Sequence, residues 1–415
     1  MNRRMFMAVA AAGAAKLAKP AEATELPEAI RKLKPMLDGV RPITAEERKA
    51  RVDKAQRLMA ENKIGAIVLE GGASMFYFTG TRWDPGSKTF ALVLPAKGDL
   101  AWVVQNADEK QAIHHELVST GADVRIAKDE EDAFKKLAQV LKDRGATRVG
   151  IEERVRFAVY DGIRKEAPAL EFTSADPVSA GCRMIKSPAE IALLQRANDI
   201  TIEAYRAAFT TLREGMSNAE LATNISAAFR ALGVNGGAMA IFGKYTAFPH
   251  GSIAPQKLRA GDLVLIDDGV SVEGYQSDIT RTVIFGKPTD RQRYVWDLER
   301  KAQDAALAAA QVGATCESVD AAARNVITKG GFGPGYQVPG LPHRTGHGIG
   351  LDGHEWTNFV KGNKTTIQPG MCFSDEPTIA IYGEFGVRLE DCLYITENGP
   401  KMFTKQSPAI DQPFG

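Results

Sequence analysis

The stretch His343-Arg344-Thr345-Gly346-His347-Gly348-Ile349-Gly350-Leu351-Asp352-Gly353-His354-Glu355 carries three of the chain's six histidines. A fourth, His250, lies upstream. The glycines around His347 let backbone approach a ligand closely. Neutral imidazole is a common nitrogen donor for Mn, Co or Zn. Alone, Gly-His-Gly describes many ordinary loop histidines. Its neighbours change the weight: Asp267 and Asp278 precede it, and Glu376 and Glu390 follow it. One imidazole plus four carboxylates is a shell that suits two divalent cations side by side, a standard device for activating water.

Each acidic pair reads as a hairpin. Leu263-Val264-Leu265-Ile266-Asp267 is a buried-type strand, the chain turns near Glu273-Gly274, and Tyr275 to Thr282 returns. That folding is expected to set Asp267 nearly opposite Asp278, where same-face neighbours lie ~4.5–5.5 Å apart at Cβ. Two carboxylates so close on apolar strands repel unless a cation lies between them. Downstream, Met371 to Pro377 and Val387 to Tyr394 flank Gly383-Glu384-Phe385-Gly386. Glu376 and Glu390 stand an even number of residues apart, so an odd loop puts them on one face. A single strand-end acid is ordinarily a turn cap or a solvated edge charge. Two symmetric pairs are harder to place in solvent.

The composition is that of an ordinary globular chain, 415 residues with 44% hydrophobic and 25% charged, long enough for two domains. A net charge of +1 offers no basic field for nucleic acid. No apolar run reaches the ~18 residues of a membrane span. Residues 1–23 read as an export signal: Arg3-Arg4 with Phe6, an Ala-rich segment, and Ala21-Glu22-Ala23 as a cleavage site. Arg3-Arg4 resembles a twin-arginine signal, which implies an exported, periplasmic protein with no membrane span once processed. Cys182, Cys316, Cys372 and Cys392 form no C-x-x-C pair, which argues against a thiolate zinc site. A Cys372–Cys392 disulfide is conceivable in an oxidising compartment, but four buried thiols are favoured.

A polar lead-in covers 24–44. Thr44-Ala45-Glu46-Glu47 has capping-box spacing and opens an amphipathic helix. Strand-like runs at 64–69, 75–78, 90–94, 100–104 and 148–151, with a helix at 130–143, predict an α/β domain over 45–180. Residues 182–188 look like a linker. Ser187-Pro188-Ala189-Glu190 then caps a long helix with proline at its first position. Further helices are predicted at 217–232, 290–312 and 318–329, with strands from 263 onward. The second domain spans 183–402, and 403–415 is a tail.

Together these residues resemble the pita-bread metallopeptidases, the superfamily of methionine aminopeptidase, aminopeptidase P, prolidase and creatinase. Asp267, Asp278, His347, Glu376 and Glu390 match its five metal ligands. His250, 17 before Asp267, and His354, seven after His347, match histidines of the proline-specific branch. His343–Glu355 is similar to that branch's signature, except that Gly353 stands where Val or Ile is expected. The segment from Arg183 to Ala197 also resembles the family's approach to its catalytic domain.

The resemblance implies a creatinase-like α/β N-terminal domain and an α+β catalytic domain, a curved antiparallel sheet backed by helices. It implies two divalent metal ions, with Mn²⁺ expected and Co²⁺ or Zn²⁺ as alternatives, and a peptide substrate cleaved before proline. Asp267 would bind one ion, Asp278 and Glu390 would bridge, and His347 and Glu376 would complete the other site. Glu376 would handle protons, His354 would stabilise the oxyanion, and His250 would assist proton transfer or bind the leaving residue. His343 and Arg388 would face the substrate, Arg388 meeting a carboxylate. A homodimer or higher homo-oligomer is expected. The alternatives are hydrolase or lyase chemistry on a small non-peptide amide, or a non-catalytic binding module.

Overall fold

The computed structural model describes residues 25–84, 86, 88–105, 117–118 and 121–414. The expected export signal lies outside these residues. After the short helix α1 (Glu28–Arg31) and its lead-in, Thr44 caps α2 (Ala45–Glu61) in a reciprocal box with Glu47. The first domain is a six-stranded mixed sheet. Its strands are β1 (Ala66–Leu69), β2 (Phe90–Pro95), β3 (Ala101–Gln105), β4 (Asp123–Ala127), β5 (Arg148–Ile151) and β6 (Glu171–Ser174), in the order β4-β3-β2-β1-β5-β6.

The nearly unbroken apolar runs of β1 to β3 reflect burial on both faces. Ala66, Val68, Ala91 and Val93 pack beneath α4 (Glu130–Asp143) and α5 (Phe157–Glu166), after the intervening helix α3 (Gly72–Thr79). The alternate residues Ile67, Leu69, Leu92 and Leu94 join a core that runs on into the second domain through Leu193, Tyr205 and Ile266. The two domains therefore share apolar interior.

The expected strand at 75–78 is helical instead, within α3. Gly71 and Gly80 bracket it at positive φ of 69° and 81°, which starts and stops one short helix. Short apolar runs carry no periodicity that separates strand from helix. The expected linker is also tighter than a linker. Helix α6 runs Asp176–Arg183, Lys186 N bonds Gly370 O at 2.8 Å, and Cys182, Arg183 and Lys186 are buried.

The second domain opens with α7 (Pro188–Phe209), whose Ser187–Glu190 capping box and first-position proline are as expected. Helix α8 (Asn218–Ala231) follows. A three-stranded antiparallel sheet, β11-β8-β7, is formed by β7 (Met239–Phe242), β8 (Leu263–Asp267) and β11 (Arg281–Ile284), with the small hairpin β9 (Ser271–Val272) and β10 (Tyr275–Gln276) at its end. Helices α9 (Asp290–Ala309) and α10 (Cys316–Lys329) pack on the other half. That half contains β12 (Gly346–Gly348), β13 (Glu355–Phe359), β14 (Cys372–Asp375), β17 (Asp391–Thr396) and β18 (Gly399–Met402), in the order β13-β12-β14-β17-β18. The pair β15 (Thr378–Ile381) and β16 (Phe385–Arg388) continues it. Helices back antiparallel strands throughout, as expected. Among the described residues no helix is long and apolar enough to cross a membrane.

Candidate metal centre

Asp267 ends β8. The register from β9–β10 through β8–β11 places Thr280, not Asp278, opposite it. Asp278 is the diagonal neighbour on the same face, two residues from the position opposite Asp267, and the turn at Glu273-Gly274 is where it was read. The glutamates meet as expected. One register runs unbroken from Ile381↔Phe385 through Thr378↔Arg388 to Asp375↔Asp391, and it sets Glu376 opposite Glu390 across a three-residue loop. Cys372 and Cys392 lie diagonally in the same ladder, and all four cysteines are free and buried.

His347 occupies the middle of β12, next to a register shift. Its Nδ1 lies 3.0 Å from Gly348 O. A neutral ring that donates there turns the lone pair of Nε2 toward the acids. Nε2 is 3.2 Å from Glu376, 3.6 Å from Asp278 and 3.9 Å from Glu390. Burial holds the His347 pKa well below the usual imidazole value, and the neighbouring His354 and Arg344 lower it further. The ring is therefore neutral and a competent ligand.

The acids have the opposite problem. Burial, reinforced by neighbouring carboxylates, raises Asp278 and Glu390 well above the usual range. Burial lifts Glu376 to about 7 even though Arg388 opposes the rise. Glu390 Oε1 is buried with no hydrogen-bond partner among the described residues.

The ligand atoms of His347, Glu376 and Glu390 lie within 4.8 Å of one another, as do those of Asp267, Asp278 and Glu390. The two triads share Glu390. Asp278, His347 and His354 form a third such group. An orphaned buried carboxylate oxygen, an unprotonated imidazole nitrogen and mutually repelling acids fit a pair of divalent cations, whose charge would relieve all three.

These donors line a cavity of about 680 Å³ that also includes His250, His343, His354, Arg344 and Tyr336. His354 is exposed, its ring edge-on to His347 at 4.2 Å. His250 is exposed on the loop after the 3₁₀ turn Gly243–Ala247.

Two of the expected substrate-facing residues line the cavity and are also engaged within the site. Arg388 meets a carboxylate, but that of Asp267; it also bonds Thr280 Oγ1 at 3.0 Å and Pro249 O at 3.1 Å, and it is 3% exposed. The half-buried Asp267 carboxylate draws the guanidinium into the site's own network at the cavity wall. His343 lines the cavity with its ring, but both nitrogens are engaged, by Arg344 O at 2.7 Å and Thr378 Oγ1 at 3.0 Å.

Two residues escaped the sequence reading. Thr280 Oγ1 lies 2.6 Å from Asp267 and 2.7 Å from Glu390, linking the two hairpins. Ser374 Oγ accepts from His347 N at 3.0 Å and lies 3.2 Å from Glu376. Strand alternation held the signal: Thr280 shares a face with Asp278, and Ser374 with Glu376.

The fold and the donor set together define a two-domain enzyme built around a carboxylate-rich divalent-cation centre. Residues 192–397 match the model of metallopeptidase family M24, and residues 51–185 match the creatinase/prolidase N-terminal domain. A Lactobacillus helveticus Xaa-Pro dipeptidase is 33% identical over 85% of this chain and 96% of its own. One from Pyrococcus furiosus is 30% identical over 86% and 98%. Among solved structures, a Thermococcus sibiricus prolidase superposes with a TM-score of 0.78 at 28% identity, covering 86% of this chain and 96% of that one. A Mycobacterium ulcerans dipeptidase gives 0.79 at 28%, covering 88% and 97%. The chain belongs to metallopeptidase family M24.

Proposed function

We propose that this protein is a metal-dependent peptidase that hydrolyses the Xaa-Pro bond, in dipeptides or at the N-terminus of short peptides. The observation that carries the reading is the pair of acid triads sharing Glu390, with the neutral His347 in one of them. The relatives named Xaa-Pro dipeptidase, matched over nearly their whole length, support the substrate class.

Asp267, Asp278, His347, Glu376 and Glu390 would hold the ions, which when bound acidify water and polarise a carbonyl. Glu376 accepts the proton released as water attacks and holds it beside the leaving nitrogen. His354, exposed at the cavity wall, donates to the oxygen on which charge develops. His250 lies on the cavity loop, where it orients the leaving residue or passes it a proton. The Xaa-Pro bond has no N–H, so a peptidase for it needs no acceptor for that group.

Manganese is our choice of ion, because four carboxylates against one imidazole make an oxygen-dominated shell. Export by the twin-arginine route rests on residues 1–23, and assembly as a homodimer or higher homo-oligomer rests on the family resemblance.

The test is an assay of Gly-Pro and Xaa-Pro-Xaa peptides before and after EDTA. Activity should vanish on chelation and return with Mn²⁺ or Co²⁺. Hydrolysis that survives thorough chelation sinks the metal-dependent reading.

A further inference from the structure

His354 has a demanding position and no side-chain anchor of its own. Among the described residues its ring makes the edge contact with His347 and no hydrogen bond. Gly353 before it has nothing within 4 Å of where a Cβ would stand. The ring is therefore placed by its backbone, and the backbone is held through the two acids that flank it.

Glu355 folds back beneath its own loop, where Oε1 accepts from Leu351 N at 2.8 Å and Asp352 N at 3.2 Å. Arg183 ends α6 and lies within the 51–185 match to the N-terminal domain, not in the second domain as its expected bounds had it; it donates one nitrogen to both acids, at 2.5 Å to Glu355 and 2.7 Å to Asp352. Its other terminal nitrogen bonds Ser74 Oγ at 3.0 Å. Lys186 takes the second oxygen of Glu355 at 3.0 Å, and Arg154 takes the second oxygen of Asp352 at 2.7 Å. Arg183, Lys186 and Glu355 have side chains at most 9% exposed, so solvent screens this cluster weakly.

We propose that Arg183 is a positioning residue for His354: the first domain sets the catalytic imidazole by gripping Asp352 and Glu355 on either side of it. The proposal rests on the reading of His354 as the group that meets the reacting carbonyl. It makes the first domain part of the catalytic machinery, because a displacement of its α6 end would move the imidazole relative to the ions.

The test compares the Mn²⁺-loaded full chain with His354→Ala and with Arg183→Met, Arg183→Lys and Asp352→Asn, each of these three alone and combined with His354→Ala. Arg183→Met should lower kcat by about 10- to 100-fold at nearly constant KM, the scale of a misplacement near 1 Å. Metal content should be unchanged, and Arg183→Lys should recover part of the loss. In the His354→Ala background the same change should cost less than about twofold, since partners in one unit are not additive. An equal loss with and without His354, or a kcat that does not move, overturns the proposal.

Should Arg183→Met fail to fold, Asp352→Asn carries the same comparison. Amide exchange at Leu351 and Asp352 supplies a readout independent of turnover: it should accelerate in both variants, and unchanged protection would equally overturn the clamp. A wild type that hydrolyses no Xaa-Pro bond removes the proline reading, while the exchange data still decide on the clamp.

Discussion

Thr280 shows how much of the centre depends on groups that bind no ion. Its hydroxyl sits between Asp267 and Glu390, one acid from each hairpin, and takes a bond from Arg388. It orients both carboxylates, and such outer partners typically account for 10- to 100-fold in metal affinity. Thr280→Val keeps the shape and β-branching but removes the hydroxyl. The expected outcome is metal affinity weaker by about 10- to 100-fold, with an unchanged circular dichroism spectrum; calorimetric titration of the chelated protein with Mn²⁺ measures it. An affinity equal to wild type would reduce Thr280 to a packing residue. The acids and His347 were legible in the sequence because their types are costly to bury and each acidic pair flanks a turn. Thr280 was not, because a threonine in a strand is ordinary. The Arg388–Asp267 contact was not legible for a related reason: sequence shows a cation near acids but not which acid it faces.

The hairpin from β14 to β17 fixes half of the centre; the even spacing of Glu376 and Glu390 allowed them one face, and the odd three-residue loop settles it. The other hairpin was readable only to within a two-residue step, since Asp267 and Asp278 share a face in either arrangement and alternation alone does not choose between them. Helix α3 was unreadable for want of length. Beside β14 lies β12, whose placement depends on Gly346. A Cβ there would stand 2.1 Å from Ser374 O, so the two backbones approach as closely as only glycine allows. Gly346→Ala must push β12 away from β14, and His347 moves with it. We expect a loss of about 3 kcal/mol, at the upper end of ordinary overpacking, together with reduced metal content. Urea unfolding followed at two wavelengths and metal analysis check the two halves. Full stability would mean that the strands separate at no cost, against the geometry described above.

At the scale of the whole molecule the two domains are joined by apolar core and by buried charge. Arg51 of α2 reaches Glu190 of α7 at 3.3 Å, with the Tyr275 hydroxyl bonding both. The second joint is Glu355 with Arg183 and Lys186. Burial alone would raise the Glu355 pKa, but the two cations outweigh it and hold the carboxyl down to about 2. The folded value thus lies below the unfolded one of ~4.3, so the group stabilises the fold at neutral pH. That contribution is full above pH ~4.3 and is lost as pH falls through about 2. A shift of this size is worth roughly 3 kcal/mol. Replacing the acid while leaving Arg183 and Lys186 buried carries a penalty of similar order. Glu355→Gln should therefore lower stability at pH 7 by roughly 3 kcal/mol. The gap to wild type should close as the pH is taken from 5 toward 2, because the wild type then loses its own ion pair. Denaturant titrations of both proteins across that range measure it. A gap that stays constant with pH would show that the amide removes packing and not charge, and the ionic joint between the domains would then be structurally idle.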